Sequence, residues 1–179
     1  MDTGLLILRI VVGALFFGHG AQKLFGWFGG HGREGTGQFY HSLGFRPGVP
    51  MALLGGMTEA GGGTFLALGL LTPLAAAAVI GQMVTAGVAV HAKKGLWNTN
   101  GGIELPLVYA VVAAALAFIG PGRYSLDRAF GWHLAGVDYG MGAIALGVVA
   151  SWIVLGWRAG QLRRERPAKT EQPPPARVA

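Results

Sequence analysis

The 179-residue chain contains no cysteine. That excludes disulfides, thiolate metal sites, CxxC redox chemistry and cysteine nucleophiles within it. Charge is also scarce, at 12% of residues, where a soluble domain carries about 25%. With 52% hydrophobic residues and a mean hydropathy of +0.48, so few charges cannot cover a water-facing surface. An ordinary soluble enzyme, a disordered chain and a nucleic-acid-binding domain are therefore poor readings. Acidic residues are the scarcer sign, 8 against 14 Lys and Arg, for a net charge of +6. The 32 glycines follow no G-X-Y period, so the chain is not collagen-like. Glycine is instead frequent in membrane helices, where it lets backbones approach closely.

Five long apolar runs are present: Leu5 to Gly26, Met51 to Leu71, Pro73 to Ala92, Ile103 to Ile119, and Tyr139 to Trp157. Each approaches the ~20 residues needed to cross a ~30 Å hydrocarbon core as a helix. They do not alternate polar and apolar residues as barrel strands would. The first run has no basic segment before it and is too long for a signal peptide. Between runs, Leu70-Leu71-Thr72-Pro73 reads as a tight turn, with Pro73 in the first helical turn. Residues 36–43 and the segment opening at Ser125-Leu126-Asp127 read as short interfacial helices, the second capped by its serine. The expected fold is an all-α membrane protein: a four-helix transmembrane bundle over residues 1–130 and an extra transmembrane helix within 131–157. Residues 158–179, basic and Pro-rich, are expected to be disordered. The fifth run carries no charge and is expected to pack outside the polar interior, so that residues 1–130 fold without it.

The cations divide unequally between the two sides of such a bundle. One side receives Arg33, Arg46, Lys93, Lys94 and the tail, the other Arg123 and Arg128. The positive-inside rule puts the first side in the cytoplasm. The expected location is the plasma or inner membrane, with the N-terminus outside and the C-terminus inside. The basic tail is then a topology signal beside anionic lipid, not a nucleic-acid-binding surface.

Ionisable groups inside the runs are costly, at least ~2.5–3.5 kcal/mol each, so they call for partners and invite a function. On the first helix Arg9, Gly13, Phe16, His19, Gly20 and Lys23 fall on one face. On the second, Glu59 has Gly55 and Gly63 one turn away on either side, which clears space for a helix or a ligand. His91 and Glu104 sit near the ends of the third and fourth runs. At about 1.5 Å rise per residue, His19 and Glu59 fall at similar depth, with Lys23, His91 and Glu104 one layer below and Arg9 above. Glu59 is expected at the centre of a polar column, paired with Arg9 or His19.

Several segments resemble the DoxX family of membrane proteins: Leu8-Arg9-Ile10-Val11-Val12-Gly13, His19 to Gly26, Glu59 to Gly63, His91 to Trp97, Gly101 to Glu104, and Gly120 to Asp127. The resemblance spans about residues 4 to 130 and implies a four-helix integral membrane domain. It relates the chain to the DoxD-type subunit of thiosulfate:quinone oxidoreductase and to membrane-associated oxidative-stress complexes. The fifth run and the tail depart from it.

The implied function is a redox-associated membrane subunit that binds a quinone-like ligand within the bundle. Whether it is itself an enzyme is left open. Glu59 and His19 are the candidate catalytic groups, and Arg9, Phe16, His19, Lys23, Glu59, His91 and Glu104 the candidate ligand-binding residues. No metal site is expected; haem ligation by His19 and His91 has no supporting motif, and a quinone is the possible cofactor. A non-enzymatic scaffold for a soluble redox or oxidative-stress enzyme, and a small proton-coupled transporter, are the alternatives. The expected partners are the lipid bilayer and a soluble or membrane redox protein, with homo-oligomerisation left open.

Overall fold

The structure, a computed structural model, describes residues 1–165. These form seven α-helices and no strands: α1 (Asp2–Phe25), α2 (Gly32–Ser42), α3 (Gly48–Leu68), α4 (Thr72–Ala86), α5 (Glu104–Ile119), α6 (Leu126–Ala129) and α7 (Val137–Arg164). Helix α4 continues through a π-helical turn at Gly87–His91 and a 3-10 turn at Ala92–Lys94. Three segments are long and apolar enough to cross a membrane: α1 with 24 residues, Thr72–Lys94 with 23, and α7 with 28. Helix α5 is apolar but shorter, at 16 residues. Helix α3 has 21 residues, but its glycines and Glu59 dilute its hydropathy. The all-helical membrane bundle expected from the sequence is the fold observed.

Helices α1 and α3 pack antiparallel at very short range. Gly13 meets Gly63, and one heptad further along α1, Gly20 meets Gly56. A Cβ on Gly13 would lie 2.5 Å from the Gly63 carbonyl oxygen, so this pair of helices cannot close with side chains at those positions. Membrane helices lack a hydrophobic driving force toward each other, and close van der Waals contact of this kind substitutes for it. Helix α4 then packs against α3, α5 and α7. Phe16, Leu66, Val79, Ile80 and Leu116 form the buried centre.

The end of the bundle that carries Met1 is locked by one buried carboxylate. Asp127, fully buried, accepts hydrogen bonds from the Leu71 amide at 2.6 Å, the Thr72 amide at 2.9 Å and the Thr72 hydroxyl at 2.6 Å. It thereby caps the N-terminus of α4, whose own flanking residues supply no side-chain cap. A carboxylate there also satisfies orphan amides and suits the helix dipole. Leu71 takes a left-handed conformation (φ 47) in this turn. The Ser125 hydroxyl caps α6 by accepting from the Arg128 amide at 3.2 Å, as the sequence suggests, and Pro73 stands in the first turn of α4.

Two boundaries differ from expectation. Helix α2 begins at Gly32, ahead of residue 36. Helix α7 runs on to Arg164, so residues 158–164 of the expected tail are helical. Residues 166–179 of that tail lie outside the described residues. Nor is α7 an accessory to the other helices. Gly147 meets the Ala77 carbonyl and the Ile80 side chain of α4, Ala143 joins the buried centre, and the Ser151 and Thr85 hydroxyls lie 3.0 Å apart. A run of small residues, not a lack of polar function, is what the uncharged fifth helix encodes.

Candidate functional site

The polar interior is divided between two layers. In the upper one, Arg9 is fully buried and donates to the Ala67 carbonyl at 2.9 Å and the Tyr124 carbonyl at 2.6 Å. It lies close enough to Asp127 to feel its charge. Gly69 (φ +62) makes this possible, since a Cβ there would run into the Arg9 guanidinium and the Ser125 side chain.

In the lower layer, Lys23 Nζ donates to Glu59 Oε2. The side chains are 22% and 5% exposed, respectively. Gln82 Nε2 donates to Glu59 Oε1 at 3.1 Å, so both carboxylate oxygens are engaged. The expected Arg9–Glu59 and His19–Glu59 pairings are therefore not formed. The reason is side-chain direction. Helical side chains lean toward the helix N-terminus. Lys23 therefore reaches back a turn to the level where Gly20 faces Ala60, beside Glu59. Arg9 leans in the same direction, which carries it away from Glu59, and it ends beside Gly69, just past the end of α3 and ten residues beyond Glu59, about 15 Å away.

Two cavities flank the Lys23–Glu59 pair, and Ala86 and His91 line both. The first, about 210 Å³, is walled by Phe39 and Tyr40 of α2, Phe45, Met51, Gln82 and Val154 of α7. The second, about 300 Å³, lies between α1, α4 and α5 and is walled by Phe16, His19, Met83, Leu105, Pro106 and Tyr109. Both are mostly apolar, with the ion pair as a polar bar between them. Such apolar clefts with a few converging polar groups are the usual form of ligand sites.

The residues singled out from the sequence thus separate. Phe16, His19, Lys23, Glu59 and His91 line the second cavity. Arg9 belongs to the upper layer. Glu104 lines neither cavity; its carboxylate accepts from the Asn98 amide at 2.8 Å and closes the loop after α4. His91 ends the π-helical turn, a distortion that recurs at functional sites.

Tyr40, Phe45 and Gln82 escaped sequence reasoning. Gln82 had a signal, as one of two side-chain amides within the apolar runs, the other being Gln22. Tyr40 had none, because its place depends on α2 folding back over α3. A Cβ on Gly55 would sit 2.8 Å from the Tyr40 hydroxyl, so that glycine admits the phenol beside the carboxylate. Burial first, and the Glu59 charge second, push the Tyr40 phenol above its ordinary pKa, so it stays protonated.

A sequence model of the DoxX family matches residues 4–92. An uncharacterized membrane protein of Mycobacterium tuberculosis is 31% identical over 137 residues, covering 69% of this chain and 78% of its own. An uncharacterized protein of Haemophilus influenzae is 34% identical over 134 residues, covering 70% and 90%. No solved structure matches the chain.

Proposed function

The chain belongs to the DoxX family of membrane proteins, and from that premise we propose that it binds a quinone-like amphiphile inside its helix bundle, as the membrane subunit of a quinone-linked redox system. One observation carries this reading: the ion pair of half-buried Lys23 with buried Glu59 stands between two apolar cavities, with the Tyr40 phenol and the His91 ring beside it. A ring with oxygen substituents needs hydrogen-bonding groups at its edge and apolar walls at its faces. Lys23, with three donors and one bonded to Glu59, supplies the first. Phe16, Phe45 and Tyr109 supply the second. The chain has no thiol of its own for electron transfer, so the reading assigns the redox step to a partner and the binding step to this bundle.

The test is what accompanies the full chain through purification from its native membrane in mild detergent. Extraction and mass spectrometry are expected to find a prenyl-tailed quinone or quinol retained near one per chain. An extract containing phospholipids alone would sink the proposal.

A further inference from the structure

The second cavity carries a more specific inference, which rests on the proposed ligand site. Both of its histidines are held in a defined tautomer. His91 Nδ1 lies 2.6 Å from the Gly101 carbonyl oxygen. A carbonyl can only accept, so Nδ1 carries the hydrogen, and in the neutral ring Nε2 is a bare acceptor. His19 reaches the same state through a relay. Gln22 Nε2 donates to the Phe28 carbonyl at 3.2 Å, which makes Gln22 Oε1 the acceptor facing His19 Nδ1, also at 3.2 Å. His19 Nδ1 therefore donates as well, and its Nε2 is likewise an acceptor. Phe28 holds a left-handed conformation (φ 52) to present that carbonyl, the kind of local strain that collects at working sites. Neither Nε2 has a hydrogen-bond partner among the described residues.

The polar lining of this cavity is thus weighted toward acceptors: two imidazole nitrogens and the Glu59 carboxylate, against the Lys23 ammonium. Tyr109 and Asn98 can act either way. A ligand that fits this lining must bring donors. His19 also lines a groove of about 270 Å³ on the outer face of α1, with Ala14, Leu15, Gly18 and Phe28, so its ring borders both the cavity and the groove. We infer that the cavity between α1, α4 and α5 takes the hydroxyl-bearing, reduced form of a ring amphiphile, a quinol, through Nε2 of His19 and His91. Its tail leaves past His19 along the Ala14–Gly18 groove toward lipid. The oxidised form offers only carbonyl acceptors and meets two acceptors of the same kind.

The experiment uses the full chain in lipid nanodiscs under anaerobic conditions. Titrations compare a decyl-substituted benzoquinone, its reduced quinol, and tail-less hydroquinone. Wild type should bind the decyl quinol about tenfold more tightly than the quinone, the scale of one or two hydrogen bonds. His91→Asn and His19→Asn keep a donor at the Nδ1 position, so Gly101 and Gln22 remain engaged, but they lack Nε2. Each should lower quinol affinity several-fold and shrink the preference for quinol over quinone. Gly18→Leu places a side chain where nothing lies within 4 Å of its Cβ; it should weaken decyl quinol about tenfold and spare hydroquinone. Equal affinity for the two redox forms, or Asn variants that keep the wild-type preference, would overturn the inference while leaving the ligand site standing. Unchanged binding of decyl quinol by Gly18→Leu would overturn the tail path. Failure of both redox forms to bind would overturn the proposed function itself.

Discussion

Asp127→Ala should be the most damaging single substitution in the upper half of the bundle. It removes three hydrogen bonds at the α4 N-terminus and leaves two backbone amides without an acceptor. It also takes the nearest carboxylate from Arg9, which is fully buried. Losing one member of a buried charged arrangement typically costs about 3–5 kcal/mol. For a chain of this size that corresponds to a fall in Tm of roughly 10 °C. Arg9→Gln should cost less, since the Asp127 carboxylate keeps its three donors. Thermal unfolding in detergent, followed by tryptophan fluorescence, checks the order. A Tm for Asp127→Ala within a degree or two of wild type would show that the loop from Ser125 is not what fastens the α3–α4 turn.

The second large effect concerns the lower layer. Lys23→Met leaves Glu59 buried, 5% exposed, with Gln82 as its remaining donor. A stranded carboxylate should cost about 3–5 kcal/mol. Glu59→Gln is gentler, because Lys23 is 22% exposed and its flexible stem can carry the ammonium toward the interface. The double substitution Lys23→Met with Glu59→Gln should recover most of the loss, since a neutral, well-packed replacement for a buried pair is often as stable as the pair. Non-additivity of this sign in a double-mutant cycle is the signature of direct coupling. Additive losses would mean that the two residues act separately.

The contrast between these layers shows what the sequence can and cannot convey. Helices were legible because their signal is local: apolar runs of spanning length, a proline at the start of α4, a serine before α6. The turn at residues 70–73 was legible for the same reason. Partners were less legible, because pairing depends on register between helices and on which way each side chain leans. Glu59 was correctly suspected of needing a partner, yet Lys23, not Arg9, supplies it. The register itself was encoded in the heptad spacing of Gly13 and Gly20 against Gly56 and Gly63, a pattern that only fixes the antiparallel contact once the two helices are set side by side. Asp127 looked like part of a local cap; its actual acceptor role spans 55 residues back to Thr72, and nothing local could announce that. The role of α7 was hidden for a related reason. Small residues read as featureless in sequence, although in a membrane they are what permits contact.

The central claim is that the Lys23–Glu59 pair anchors a ligand between the two cavities. It is tested most directly by binding to the folded, charge-free pair. The Lys23→Met, Glu59→Gln double variant should melt within a few degrees of wild type in nanodiscs. Titrated with decyl quinone and decyl quinol, it should bind both at least about tenfold more weakly than wild type, the scale of losing hydrogen bonds to charged groups. A double variant that is equally stable and binds either form with wild-type affinity would contradict the account.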